Sequence, residues 1–315
     1  MKVLIPQDIS EVGKNYLLDK GYEIKVLNQS DQKTLLQEIP DCDALLIRTA
    51  KVSKQVLEAG KKLKVVARHG VGLDNIDLET AWRLGIKVTN APESNANCVA
   101  EHTIALMMGI SHHLLKYHNS VIKGDWEIRN RLKLVDLDQK IVGIVGFGRI
   151  GRLVAKKLHY GLGMKVIAYN RSQPKNLPPY VEMKNKLEDL YAEADFVSIH
   201  LPATAQTKNS INLQTFKKMK KTAFLINTGR GEVIDEKDLC QALKNGLIAG
   251  AALDVLADEP PDKHNCLLTC PNIIFSPHCA ALSQAGLDKM ALHAAMGVDE
   301  VLTGKEVSWP VLKKR

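Results

Sequence analysis

The stretch GIVGFGRIG, residues 143–151, constrains this chain more than any other. Its glycines Gly146, Gly148 and Gly151 come directly after an apolar run and directly before a helical pattern. In that setting each has its own job. Gly146 permits a tight turn, Gly148 lets backbone approach a pyrophosphate, and Gly151 lets the helix pack closely on the strand. The helix, entered through Arg149 and Ile150, would turn unpaired N–H groups and the positive end of its dipole toward phosphates. A bare GxGxxG recurs by chance, but here strand, helix and the onward alternation agree, so a dinucleotide-binding βαβ unit is expected.

Short β-rich runs alternate with amphipathic ones along nearly the whole chain, which predicts an α/β protein with parallel sheets. A first set of strands reads KVLIP, EIKVL, ALLIR, KVVAR and KVTN, with helical patterns between, as at 10–20 and 78–84. NAPESNANCVAEHTIALMMGISHHLLKYH then predicts one long helix, preceded by Pro92, with Val99, Ile104, Leu106, Met107 and Leu114 as its apolar faces. A second set follows at QKIVGIVG, KVIAYN, FVSIHL, AFLINT, IAGAALDVL and NIIFSPH, and a last helical run covers 282–302. The expected architecture is two Rossmann-like parallel-sheet domains, one flavodoxin-like and one dinucleotide-binding, separated by a cleft. The last helix would return to the first domain. The expected division is residues 1–96 with 284–315 as a discontinuous substrate-binding domain, and 97–283 as the dinucleotide-binding domain.

Composition removes several classes of function. The 315 residues carry a formal charge of +8, spread along the chain without a basic stripe interleaved with aromatics, so no nucleic-acid partner is expected. The excess would still draw in anionic ligands. No run approaches the roughly 18 apolar residues of a membrane span, and MKVLIPQDIS enters a strand at once, with no signal-like segment. A cytoplasmic protein is expected. The six cysteines (42, 98, 240, 266, 270, 279) lack zinc-type spacing, and Cys266 and Cys270 form a lone CxxxC read as buried or incidental thiols. No metal site is expected.

Asn170 lies 19 positions beyond Gly151, near the roughly 20 at which a carboxylate usually meets the adenosine ribose. A carboxylate there bonds the 2′-hydroxyl of NAD and repels the 2′-phosphate of NADP. Asn170 removes the repulsion, Arg171 can offer a guanidinium fork, Ser172 a hydroxyl donor, and Lys175 more charge. NADP is favoured. The alternative is an exposed Arg171 in a polar loop, with NAD held mainly through its pyrophosphate.

Three further motifs each follow a strand, and in an open parallel sheet all would lie at its carboxyl edge. AFLINTGRG brings out Arg230, AALDVLADEP carries Asp254 and Glu259, and NIIFSPHCA places His278 after a proline. Alone, each could be a surface Arg, a loop carboxylate or a packed histidine. Together they suit hydride transfer to a 2-oxoacid. Arg230 can give two parallel donors to a carboxylate, and His278 can protonate the carbonyl oxygen as negative charge grows there. Glu259 would fix the ring and favour imidazolium, and Asp254 could accept from a nicotinamide carboxamide.

GFGRIG, NTGRG, DVLADEP and SPHCA, in this order and spacing, resemble the D-2-hydroxyacid dehydrogenase family over nearly the whole chain. The resemblance implies that Arg230, Glu259 and His278 are the catalytic trio of an NAD(P)-dependent enzyme. RHGVGLDNID is similar to the family's substrate loop, with backbone N–H groups of Val71 and Gly72 on the substrate carboxylate. ESNANCVAEHTIALMM is similar to its connector helix, with Asn95 and Glu101 at usual positions. HLPATAQT resembles the loop beside the cofactor, implying His200, Pro202 and Thr207 near the nucleotide, with Thr228 and Ala280 also on the cofactor. The usual homodimer is implied, with its contact largely around the nucleotide domain. Cys279 stands where the family often has an aliphatic residue, and its thiol reads either as an oxidation sensor or as a small buried filler. The regulatory domain of some phosphoglycerate dehydrogenases is not expected after Trp309.

Glyoxylate or hydroxypyruvate reduction is the expected reaction, because NADP suits the reductive direction. The alternatives are 3-phosphohydroxypyruvate, if Arg48 or Arg68 meets a phosphate, formate or phosphite oxidation on the same scaffold, or a nucleotide-responsive binding module like the C-terminal-binding-protein corepressors.

Overall fold

Two runs of βα units build two separate parallel sheets. The structure, a computed structural model, describes residues 1–172, 174 and 176–313. The chain divides into two compact units, Met1–Asn95 with Ala281–Arg315, and Ala96–Ala280.

In the first unit the elements run β1 (Lys2–Ile5), α1 (Glu11–Asp19), β2 (Glu23–Val26), α2 (Gln32–Glu38), β3 (Ala44–Ile47), α3 (Lys54–Ala59), β4 (Val65–Arg68), α4 (Leu78–Arg83) and β5 (Lys87–Thr89). The sheet order is β2-β1-β3-β4-β5, all parallel. β3 reads ALLI because both of its faces are covered, and all four residues are buried. Helix starts are marked by polar caps: the side chains of Ser10, Asp31, Ser53 and Asp77 each accept from a first-turn N–H. The terminal helix Gln284–Leu302, capped by Ser283, belongs to this unit. Its buried Ala291, Ala294, Ala295 and Val298 join Val3, Ile5, Leu17 and Leu46 in one core. Small residues are required at its crossing with α1, where a Cβ on Gly13 would lie 2.7 Å from the Ala291 carbonyl oxygen.

The second unit starts with α5 (Ala96–Ser111), α6 (Leu114–Ile122) and α7 (Ile128–Arg131). The expected single long helix is therefore broken. His113 takes a left-handed conformation, φ 50°, between α5 and α6. The rest runs β6 (Ile141–Val145), α8 (Arg149–Leu162), β7 (Lys165–Tyr169), β8 (Val181–Met183), α9 (Leu187–Glu193), β9 (Phe196–Ile199), α10 (Leu213–Lys218), β10 (Phe224–Asn227), α11 (Glu236–Lys244), β11 (Gly250–Leu253) and β12 (Ile273–Phe275). The order is β12-β11-β10-β9-β6-β7-β8, again all parallel. β8 was not expected from sequence. It is a three-residue edge strand, too short for its pattern to register. No helix among the described residues is long and apolar enough to cross a membrane.

Candidate active site

Because the seven-stranded sheet is wholly parallel, the loops after β6, β7, β9, β10, β11 and β12 leave it at one edge. The chain order reverses between neighbouring β6 and β9, and such a switch point opens a crevice at the carboxyl ends of the strands.

The glycine turn after β6 is built as its residue types require. Gly146 has φ 97°, and a Cβ there would lie 2.6 Å from the His200 carbonyl oxygen. A Cβ on Gly151 would sit 2.3 Å from the Gly146 carbonyl oxygen, so nothing larger lets α8 start this close to β6. Gly148 is different: a Cβ there would meet nothing within 4 Å. It is the N-cap of α8 and supplies no side-chain cap, which leaves the first N–H groups of a 14-residue helix for a ligand. Arg149 is exposed and Ile150 half-buried at the helix start. Glycines fixed by backbone contact, an open glycine between them and an uncapped helix end fit a dinucleotide pyrophosphate.

At the end of β7 the Asn170 amide ties strand to turn. Its Oδ1 accepts from the Phe147 N–H at 3.2 Å, and its Nδ2 donates to the Ser172 carbonyl at 2.8 Å. An uncharged group thus holds the position. Arg171 is exposed and donates from Nη1 to the neutral Gln206 Oε1 at 3.3 Å. Ser172 is exposed, and Lys175 lies outside the described residues. After β9, His200 bonds Ser198 Oγ through Nε2 at 2.9 Å, and burial pushes its pKa down to about 4. Thr207 Oγ1 donates to the Pro202 carbonyl at 2.6 Å, closing that loop on itself.

Arg230, Glu259 and His278 come together. Asn227, fully buried at the end of β10, donates to the Arg230 carbonyl at 2.9 Å and accepts from the Gly229 N–H at 3.0 Å, folding NTGRG into a tight turn. Gly231 lies so close to the next loop that a Cβ would overlap Leu256, with 1.9 Å to its carbonyl carbon. That contact sets the Arg230 turn against the loop of Glu259. The Arg230 guanidinium donates from Nη1 to the Gly229 carbonyl at 2.8 Å. His278 adopts φ 49°, its N–H donating to the Asp254 carbonyl at 2.7 Å. Its Nδ1 meets Glu259 Oε2 at 2.6 Å, and Glu259 Oε1 accepts from the Leu256 N–H at 3.1 Å. Burial pushes the Glu259 carboxyl up, but the bonds from His278 and Leu256, with the charges of His278 and Arg230, hold it below its ordinary value. An ionised Glu259 keeps the proton on Nδ1 and leaves Nε2 as the ring nitrogen for proton exchange.

Asp254 is 2% exposed, and protein groups already occupy both its oxygens. Oδ1 accepts from Ser276 Oγ at 2.5 Å and from the Cys279 N–H at 3.0 Å, and Oδ2 accepts from the Ala280 N–H at 3.0 Å. Ser276 also bonds His102 Nε2 at 2.8 Å, and Thr228 bonds Thr103 across hydroxyls at 2.8 Å. Sequence reasoning missed His102, Thr103 and Ser276, whose polar side chains face inward from α5 and from the end of β12. Among the described residues, His102, Asp254 and Cys279 bring possible ligand atoms within 4.8 Å of one another. The bridging Ser276 hydroxyl accounts for that cluster as a hydrogen-bond network. Cys279 is half-buried, and burial and the Asp254 carboxylate push its thiol up, which disfavours the sensor reading.

Val71 and Gly72 lie in the other unit, in the loop after β4. Gly70 has φ 135° and its carbonyl accepts from the Ala91 N–H at 2.8 Å, while the Val71 carbonyl accepts from Asn90 Nδ2 at 2.9 Å. Asn95 is buried against Met290 in the same unit, and Glu101 on α5 pairs with Lys157 at 3.1 Å.

The family model for the NAD-binding domain of D-isomer-specific 2-hydroxyacid dehydrogenases matches residues 104–280. The chain is 38% identical, over 97% of its length, to a D-3-phosphoglycerate dehydrogenase of Methanocaldococcus jannaschii, of which it covers 58%. It is 40% identical, over 84% of its length, to a hydroxypyruvate reductase of Thermotoga maritima, of which it covers 87%. The chain thus spans little more than half the length of the phosphoglycerate dehydrogenases it matches. Among solved structures, an NADPH-dependent glyoxylate/hydroxypyruvate reductase from Sinorhizobium meliloti in complex with citrate aligns with a TM-score of 0.88 at 27% identity. That alignment covers 98% of this chain and 97% of the other.

Proposed function

The chain belongs to the D-isomer-specific 2-hydroxyacid dehydrogenase family, and on that premise we propose that it reduces glyoxylate or hydroxypyruvate to the D-2-hydroxyacid with NADPH as the favoured donor. The observation that carries the reading is the 2.6 Å contact of His278 Nδ1 with Glu259, beside the Arg230 turn and on the same sheet edge as the glycine turn.

Gly146, Gly148 and Gly151, with the first N–H groups of α8, would hold the dinucleotide pyrophosphate, and Asn170, Arg171 and Ser172 its adenosine end. Bound there, the dinucleotide supplies the hydride. Arg230 orients the substrate by its carboxylate and steadies the carbonyl oxygen. His278 Nε2 delivers the proton to that oxygen, and Glu259 holds the ring in the tautomer and orientation this needs. Asp254 fixes the backbone of residues 278–280 and so positions the histidine. Residues 1–95 with 281–315 would form the substrate-binding domain, with Val71 and Gly72 on the substrate carboxylate.

NADPH is supported by the uncharged Asn170 and the exposed Arg171, and by the NADPH dependence named for the Sinorhizobium meliloti relative. A second substrate, 3-phosphohydroxypyruvate, is favoured by the names of the phosphoglycerate dehydrogenases and by Arg48 and Arg68. These follow and end neighbouring strands β3 and β4, and both charges bear on His69. A homodimer is supported by α6, which has no buried residue and exposes Leu114, Leu115, Val121 and Ile122. The proposed setting is the cytoplasm, in keeping with six cysteines that are all unbridged thiols.

Initial rates with hydroxypyruvate, glyoxylate and 3-phosphohydroxypyruvate, titrating NADPH and NADH separately, test the reading. NADPH should win with the first two substrates. Arg171→Ala should weaken NADPH roughly ten- to a hundredfold, the worth of one charge-assisted contact, and leave NADH unchanged. Equal effects on both cofactors would remove the 2′-phosphate role. Turnover of the phosphorylated substrate alone would move the activity to the second reading, and silence with every 2-oxoacid would favour a binding module.

A further inference from the structure

Cys240 and the Cys266–Cys270 pair, distant from it in sequence, gather on the side of the second unit where α11 meets the 3-10 turn Cys266–Thr269. Cys240 lies on α11 and is 4% exposed, Cys266 opens the turn, and Cys270 closes it. The Cys270 thiol donates to Cys240 Sγ at 2.8 Å, about 0.8 Å beyond a covalent S–S bond. Cys270 also reaches the Cys266 carbonyl at 3.3 Å, and Cys266 Sγ the Glu236 carbonyl at 3.8 Å. Lys244, one helical turn beyond Cys240 on α11, sets its ammonium beside the Cys240 sulfur.

We propose that Cys240 and Cys270 are a peroxide-oxidisable thiol pair, a redox modification site that staples α11 to the far end of the Glu259 loop. Glu236, also on α11, already clamps that loop at two points, accepting from the Ala257 N–H at 2.8 Å and from Asn265 Nδ2 at 2.6 Å. The pair would make the third tie.

The roles divide by environment. Burial pushes the Cys240 thiol up, but bonds from Cys270, Cys266 and Lys244 outweigh it and hold the group below its ordinary value. Burial and the Cys240 contact push Cys270 up. Cys240 is therefore the attacking thiolate and Cys270 the resolving thiol. The Cys240 thiolate attacks one oxygen of hydrogen peroxide, forming an S–O bond as the O–O bond breaks and hydroxide leaves. The Cys270 sulfur, giving up its proton, then attacks the sulfenic sulfur, forming the S–S bond and releasing water. Overall, two thiols lose two electrons and two protons, and one peroxide becomes two waters. A thiol reductant reverses it. Because the sulfurs are already close and Glu236 holds the loop between them and Glu259, the cross-link should leave turnover nearly as it was. It should raise Tm on the order of 5 °C by closing a long loop.

The test is a non-reducing tryptic map of the full chain after mild hydrogen peroxide treatment. Peptide 238–244 carries Cys240, and peptide 264–289 carries Cys266, Cys270 and Cys279, so fragment ions identify the partner. Expected is one linked species, Cys240 to Cys270, that dithiothreitol removes, with a higher Tm for the oxidised protein. Cys266→Ser should retain the link and Cys240→Ser abolish it. A link through Cys266 or Cys279, or sulfinic acid at Cys240 without any link, would overturn the assignment. A link that leaves Tm unmoved would overturn the staple.

Discussion

His69 is buried and His200 half-buried, each keeps one ring nitrogen without a protein partner, and desolvation of each ring pushes its pKa down to about 4. The native state holds both neutral, whereas the unfolded chain takes up their protons below an ordinary histidine pKa of about 6.5. Their contribution to stability is therefore complete above that value and is lost as pH falls from there toward 4. Between pH 7 and pH 5 each should cost about 2 kcal/mol, so the urea midpoint should fall across that range. An unchanged midpoint would mean the rings are charged or solvated in the native protein. Neither environment could be read from sequence, because burial of a lone histidine depends on what packs over it. Arg230, Glu259 and His278 were legible for the opposite reason. Each sits within a few residues of a strand end, so topology alone brings them to one edge. The His102–Ser276–Asp254 network was not, since it joins a helix face to a strand end across most of the second unit.

At the scale of elements, the β6–turn–α8 unit makes a sharp distinction between two of its glycines. Gly151→Ala drives a methyl into the Gly146 carbonyl, a contact of 2.3 Å between backbone segments that cannot give cheaply. It should destabilise by about 1–3 kcal/mol or more and lower Tm. Gly148→Ala meets open space, so Tm should hardly change. Its methyl would stand where backbone meets phosphate, and dinucleotide affinity should fall roughly ten- to a hundredfold. Thermal melts and fluorescence titrations with NADPH separate the two. If Gly148→Ala binds normally, the pyrophosphate does not sit on this turn. The unit was readable because Gly146 and Gly151, where backbone leaves no room for a side chain, are a mark no other residue can supply. The break between α5 and α6 left no such mark, since the apolar pattern runs on through His113, and the short edge strand β8 was hidden among polar neighbours.

For the whole molecule, two parallel sheets in succession follow from the alternation of strand and helix, and the family follows from motifs at the strand ends. The Cys240–Cys270 contact was invisible because it joins residues 30 apart through tertiary packing. What the motifs leave open is the side group of the substrate, because the residues around Arg48, Arg68 and His69 carry no signature that separates a phosphate from a hydroxyl. The proposed reaction is a hydride transfer whose proton passes through His278. It is tested most directly by comparing wild type with His278→Asn in NADPH oxidation by hydroxypyruvate, alongside NADPH binding. Asparagine accepts the positive φ of this position without backbone strain. If His278 passes the proton, kcat should be lower by about 10²–10⁴-fold, with cofactor affinity nearly unchanged. Wild-type turnover in the variant would contradict it.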